Sequence, residues 1–282
     1  WSAYLAAGRT GAKYVATYHG IYNANSGLKR WYNGIMARGD AVIANSHFTA
    51  DHVLREHKVD KAKLHVIPRG IDVDSFTPER VTNERIETLR KQWSLKGGRP
   101  VIVMPGRLTR WKGQLVFIEA LAKLADRNVE AVMVGDAQER DAYVEELHAR
   151  LKQLDLAAIT HIPGHCSDMP AAFMLADVIV APSIEPEAFG RVAVEAQAMG
   201  KPVVASRLGA QTETVVDGVT GFLFPPGDAA ALAQGITRAL ALSPDARQAM
   251  AKTARERVLA TYSVRAMCAA TLSVYDGLLK AR

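Results

Sequence analysis

Six short apolar runs, at 101–104, 129–134, 159–162, 178–181, 203–205 and 222–224, follow one another at intervals that leave room for a helix between most of them. Helical periodicity fills the intervals at 113–124, 141–154 and 191–199. Strands alternating with helices cannot pair as hairpins, so they form a parallel sheet with helices on both faces and right-handed crossovers. A shorter series precedes it, with strands expected at 13–18, 41–44 and 64–67 and a helix capped by Ser46 running to about Arg55. Between the two series, residues 69–99 are polar, with one helix expected near 84–93. Two helical segments, near 244–261 and 264–279, close the chain.

The fold class expected is therefore α/β, with two Rossmann-like doubly wound domains. We draw them as residues 1–77, 78–262, and a last helix, 263–282, packing back towards the first domain. Residues 1–77 supply fewer strands than a doubly wound domain normally holds, so the first domain is expected to be incomplete.

Composition narrows the function classes. With 49% apolar and 23% charged residues in 282, the chain fits a soluble globular enzyme. Its net charge of +6 favours anionic ligands such as diphosphates, or an anionic membrane surface touched peripherally. Nucleic acid is not expected as a partner, because the basic residues are scattered and no basic-aromatic module recurs. The two cysteines, Cys166 and Cys268, lie outside any C-x-x-C and read as structural thiols of a reducing cytoplasm. No segment is long and apolar enough to span a bilayer.

Polar residues collect where each strand should end. His19-Gly20, Asn45-Ser46 and Arg69-Gly70 follow the first three strands. Gly106-Arg107 with Lys112-Gly113, Gly135-Asp136, Gly164-His165 and the Glu187 loop follow four of the others. Open α/β sheets bind ligands at their carboxyl edges, and two such edges turned towards one another would make a cleft. Arg107 can grip two phosphate oxygens and Lys112 adds a point charge; an exposed basic loop is the plainer reading of the pair taken alone.

The segment Glu185-Pro-Glu-Ala-Phe-Gly-Arg-Val-Ala-Val-Glu195-Ala carries the most chemistry. Glu187 stands in the loop after a strand. Glu195 stands about a turn inside the following helix, whose first N–H groups attract an anion. A carboxylate for hydroxyls, open backbone for phosphate and a second carboxylate beyond suit a nucleotide sugar.

Other signals carry less. Asp72-Val-Asp74 has a metal–nucleotide spacing but sits in the connector, where turn carboxylates are expected. His47, His52 and His57 cannot share a helix face. His161 and His165 read as loop residues rather than a zinc pair. Lys29, Arg30, Trp31 and Tyr32 could form a basic-aromatic face for an acceptor or lipid, with an ordinary amphipathic helix as the simpler reading. No G-x-G-x-x-G, Walker loop or G-x-S-x-G occurs.

Taken in order, these residues resemble the GT-B glycosyltransferases of family 4. The resemblance rests on Ala44-Asn-Ser46, Pro68-Arg-Gly-Ile-Asp72, Gly106-Arg107 with Lys112-Gly113, Pro182-Ser183 with Glu187-Ala-Phe-Gly190, Glu195-Ala196, and Met199-Gly-Lys-Pro-Val-Val-Ala205. Glu213, Asp217-Gly218 and Gly221 continue it. Ala188 stands where the family usually has glycine, and Gly209-Ala210-Gln211 replaces a common Gly-Gly pair. The family's opening strand and glycine-rich loop have no counterpart here.

By that resemblance Arg107, Lys112, Glu187 and His19 would be the catalytic set, the first two binding the donor diphosphate. Glu187 would contact the donor sugar, with His19 near the reacting sugar. Backbone at Phe189, Gly190, Arg191 and Val192 would hold sugar or phosphate, and Glu195 the ribose. Gly106, Gly164 and His165 complete the expected donor site. The resemblance implies a retaining transfer of sugar from a nucleoside diphosphate to a glycan or lipid-linked acceptor in lipopolysaccharide or other envelope synthesis. It implies no metal and no bound cofactor, and a cytoplasmic reaction, with access to the inner membrane face. A nucleotide-sugar epimerase, a phosphorylase on the same scaffold, or a nucleotide-binding module without turnover are the alternatives.

Overall fold

Helix α1 (Ser2–Thr10) precedes three short parallel strands: β1 (Val15–Tyr18), β2 (Ala41–Ala44) and β3 (Leu64–Val66), paired in that order. The computed structural model describes residues 1–22 and 26–280. Strand β2 is buried along its whole length, as its Ala-Val-Ile-Ala sequence requires of a central strand. Between β1 and β2 runs α2 (Gly27–Asn33); α3 (His47–Glu56) follows β2 and starts where expected, with the Ser46 hydroxyl accepting from the Thr49 N–H at 3.0 Å. Tyr18, Val42 and Val53 form a small core with Met36, Val59 and Leu64 around it.

The second series follows α4 (Asn83–Gln92) and contains β4 (Val101–Pro105), α5 (Gln114–Ala122), β5 (Glu130–Val134), α6 (Asp141–Gln153), β6 (Thr160–Gly164), α7 (Met169–Leu175) and β7 (Val178–Ala181). It continues with α8 (Arg191–Ala198), β8 (Val203–Ser206), α9 (Gln211–Thr214), β9 (Phe222–Phe224), α10 (Ala229–Leu240) and α11 (Pro244–Thr261); α12 (Val264–Lys280) ends the described chain. All six strands are parallel, in the order β6-β5-β4-β7-β8-β9. The direction of winding reverses between β4 and β7, which makes that gap the switch point where ligands bind in such sheets.

Alternate strand residues serve opposite faces. Ile102 and Met104 join Phe117, Ile118, Leu121, Leu147 and Ile236 on one face; Val101 and Val103 join Trp93, Phe173, Ala193 and Ala196 on the other. Phe117 and Phe173 are fully buried, each contributing about 2–3 kcal/mol of burial. Two compact units result: residues 1–70 with 187–189 and 260–282, and residues 71–186 with 190–259.

Two helices differ from the sequence expectation. Helix α7, Met-Pro-Ala-Ala-Phe-Met-Leu, is apolar all round because it is buried, so it shows no amphipathic period; Asp168 caps it by accepting from Ala171 N–H at 3.1 Å. Helix α10 is built from small residues, and Asp228 caps it twice. The thiols also divide. Cys166 is buried in the core, whereas Cys268 on α12 is exposed and so is no packing residue, which corrects the expectation of two structural thiols. No helix among the described residues is long and apolar enough to cross a membrane.

Candidate active site

The loop after β4 runs from Gly106 to Gly113 and is held by backbone on both sides. Gly106 N–H donates to Val134 O at 2.9 Å, and Leu108 N–H to Asp136 O at 3.0 Å. A Cβ on Gly135 would lie 1.9 Å from Gly106 O, so only glycine lets the ends of β4 and β5 meet. On the β7 side, Ile184 N–H donates to Trp111 O at 2.8 Å, and a Cβ on Gly113 would lie 2.0 Å from Pro182 O. The loops flanking the switch point therefore fit against one another main chain to main chain.

Within this loop the three cations differ. Arg110 is bound by both carboxylate oxygens of Glu146 and lies 5.1 Å from the Tyr143 ring. Arg107 and Lys112 share a single aromatic ring instead: the Arg107 guanidinium carbon is 5.9 Å and the Lys112 Nζ 4.4 Å from the Trp111 centroid. The Lys112 stem lies against Gly106. Gln114 fixes the start of the turn, its Nε2 donating to Arg107 O at 2.9 Å and its Oε1 accepting from the Tyr143 hydroxyl at 3.1 Å. Burial pushes the Tyr143 phenol up to about 12, keeping it a donor.

The loop after β7 delivers helix α8. Its N-cap is Gly190, left-handed at φ 76° and without a side chain to cap the helix, so the opening N–H groups at Arg191 and Val192 receive no side-chain cap. Gln211 bridges the two ends of this connection. Its Nε2 donates to Ala181 O at 3.2 Å, and its Cγ would stand 3.1 Å from a Cβ on Gly190. One turn into α8, Glu195 is buried and accepts from Arg191 Nε at 2.8 Å. Burial raises its pKa and Arg191 opposes the rise.

The end of β6 completes this edge. Gly164 O accepts from Gly135 N–H at 2.8 Å, and His165 beyond it is exposed. Gly164 is left-handed at φ 81° with open space around the position of a Cβ. At ordinary strand spacing this places Gly164 roughly 10 Å from the end of β4, the scale of a nucleoside.

The first unit holds the remaining candidates. His19 is largely exposed at the end of β1, and its partial burial, then Arg69, lower its pKa. The amide of Asn45, at the end of β2, donates to His19 O at 3.2 Å. Glu187 is half-buried; Ala188 O accepts from the Thr49 hydroxyl at 3.5 Å, and Phe189 packs edge-on against Tyr262 with centroids 5.7 Å apart. Thus Gly106, Arg107, Lys112, Gly164, His165, Gly190, Arg191, Val192 and Glu195 share the carboxyl edge of the six-stranded sheet, while His19, Glu187 and Phe189 belong to the other unit.

The model of glycosyl transferases group 1 matches residues 85–257, and that of glycosyltransferase family 4 matches residues 1–75. The chain belongs to the group 1 glycosyltransferase family. A solved glycosyltransferase of Rickettsia africae is 38% identical at a TM-score of 0.94, covering 100% of this chain and 75% of that one. Anabaena HepE, solved in complex with UDP and glucose, is 28% identical at 0.85, covering 98% and 73%. The D-inositol 3-phosphate glycosyltransferase of Xylanimonas cellulosilytica is 33% identical over 251 residues, 88% of this chain and 59% of its own length. The chain thus spans about half to three-fifths of the curated relatives it matches. Its fold is GT-B.

Within this glycosyltransferase frame the weaker motifs resolve. Asp72 closes its own turn, accepting from Asp74 N–H, Ser75 N–H and the Ser75 hydroxyl. His161 pairs with the buried Glu130 at 2.7 Å on the opposite half of the strands. No group of residues suited to a metal occurs among the described residues. Sequence reasoning missed Trp111, Arg191 as the partner of Glu195, and Gln211. The i,i+4 spacing of Arg191 and Glu195 was the one signal available for them.

Proposed function

We propose that the protein moves a sugar from a nucleoside diphosphate to an acceptor hydroxyl, with retention at the anomeric carbon. The observation that supports this most is the pairing, at one switch point, of two cations on Trp111 with a helix whose N-cap is glycine. A departing diphosphate accumulates negative charge, and fixed cations and N–H groups stabilise that charge without reorganising.

In the step proposed, the bond from the anomeric carbon to the diphosphate oxygen breaks. The acceptor oxygen takes its place on the same face, and the acceptor proton passes to the departing diphosphate. Arg107, Lys112 and the amides of Arg191 and Val192 carry the developing charge; no metal and no bound cofactor has a part. Glu195 accepts from the ribose hydroxyls. Gly106 admits the diphosphate, and Gly164 with His165 borders the base. The resemblance assigns sugar contacts to Glu187, to the backbone of Phe189 and Gly190, and to His19, whose pKa is lowered by partial burial and by Arg69.

HepE's complex with UDP makes a uridine donor the first to test. For the acceptor, the family resemblance supports an envelope glycan such as lipopolysaccharide, and the name of the Xylanimonas relative supports an inositol phosphate. We place the reaction in the cytoplasm, where nucleotide sugars are supplied.

The test is product analysis with labelled donor and each acceptor class. A labelled sugar joined to the acceptor supports the proposal. A changed nucleotide sugar would make the protein an epimerase, a sugar phosphate a phosphorylase, and nucleotide binding without turnover a binding module.

A further inference from the structure

Helix α6 is fixed from its second turn onward without help from polar groups in its first. Leu147 and Leu151 are buried in the core, and Arg150 pairs with Glu119 of α5. Its opening turns nevertheless carry two side chains that reach for the loop after β4. Tyr143 is 6% exposed and packs in the same apolar cluster, yet its hydroxyl donates to Gln114 at 3.1 Å, and Gln114 is itself 1% exposed. Glu146 stands three residues on, on the same side of the helix, and takes the Arg110 guanidinium with both oxygens while that group lies 5.1 Å from the Tyr143 ring.

Both attachments end in one loop. Gln114 passes the first to the backbone of Arg107, donating to its carbonyl at 2.9 Å. Arg110 opens the short helical turn Arg110–Lys112, which is closed by Lys112 N–H on Thr109 O at 2.9 Å and Gly113 N–H on Arg110 O at 3.0 Å. The parts held are therefore Arg107 and the turn that carries Trp111 and Lys112. Apolar side chains at positions 114 and 143 would fill the same space at little cost to stability, whereas a satisfied buried pair fixes position. The Arg110–Glu146 pair lies in solvent, where an ion pair adds little to the fold.

We propose that Tyr143 and Glu146 are positioning residues. Through Gln114 and Arg110 they set where the charges of Arg107 and Lys112 stand, and so the affinity for the donor's diphosphate. The inference rests on the diphosphate site proposed above. Charge and position make opposite demands at Glu146. By charge alone, losing a carboxylate near an anion site tightens anion binding. By position, freeing Arg110 loosens the turn and weakens it.

Calorimetry separates the two. UDP, GDP and ADP are titrated into the native protein, and the one bound best is compared with its parent nucleoside in Glu146→Gln and in Tyr143→Phe with Gln114→Met. Each variant should bind the diphosphate roughly fivefold or more weakly and the nucleoside as before, with a thermal midpoint within about 2 °C of native. Glu146→Gln, at the surface, decides the case if the buried double variant is unstable. Diphosphate binding by Glu146→Gln that is unchanged or tighter would overturn the inference and leave the diphosphate site standing. Equal losses for diphosphate and nucleoside, or a lowered midpoint in Glu146→Gln, would mark a structural role and overturn it too. A native protein that binds none of the three diphosphates would remove the site, and the inference with it.

Discussion

Glu195 and Arg191 form a hydrogen-bonded ion pair one helical turn apart, with Glu195 only 7% exposed and Arg191 open to solvent. A carboxylate kept in such a place costs stability, and its retention points to a ligand. Burial raises the pKa of Glu195, so the folded state holds its proton more tightly than the unfolded state. Its contribution to stability is then full below the ordinary carboxylate range and is lost as pH rises through the raised value. Thermal stability of the native protein relative to Glu195→Gln should accordingly fall as pH rises out of the ordinary carboxylate range. The same variant should weaken nucleotide binding roughly tenfold or more, by removing a charged acceptor. A variant both less stable at neutral pH and unchanged in binding would mean a structural role.

Arg107→Ala and Lys112→Ala should each lower kcat/KM by roughly 10²-fold, since each removes a charge proposed to act on the departing diphosphate. Stability should move by no more than about 0.5 kcal/mol for the exposed Arg107, and by about 1 kcal/mol for Lys112, whose half-buried stem packs against Gly106. Trp111→Leu should show a milder version of the same split, through loss of the ring that orients both cations. Parallel kinetics and urea unfolding check this.

Gly113→Ala should fail differently. Its Cβ would overlap Pro182 O at 2.0 Å on a backbone at φ 83°. A cost of about 3 kcal/mol or more is expected, visible as a shifted denaturation midpoint. Gly164→Ala tests the contrast: its Cβ meets open space, and only the strain of φ 81° remains, about 1–2 kcal/mol.

His19 has a lowered pKa, so its folded state disfavours the charged ring. Its contribution to stability is present above the ordinary histidine value and diminishes as pH falls through it. Transfer should be flat near pH 7 and decline on acidification below the ordinary histidine value, as the imidazole protonates. Under His19→Gln that acid limb should disappear; a limb that persists would assign it to another group.

Much of the fold is legible in the residues because β-branched runs such as Val178–Ala181 announce buried strands and Ser46 announces a cap. Helix α7 escapes because burial on every side erases the period that betrays a helix. At the site, charge and glycine mark Arg107, Lys112 and Gly190 from the sequence. Trp111 and Gln211 do not announce themselves, since an indole shared by two cations and a glutamine stem against a glycine are products of packing.

Calorimetric titration of UDP into the native protein and into the Arg107→Ala, Lys112→Ala double variant tests the diphosphate site most directly. The native protein should bind, and the double variant should bind at least roughly tenfold more weakly with its fold intact. Equal affinity in the two would place the diphosphate elsewhere and contradict the switch-point site.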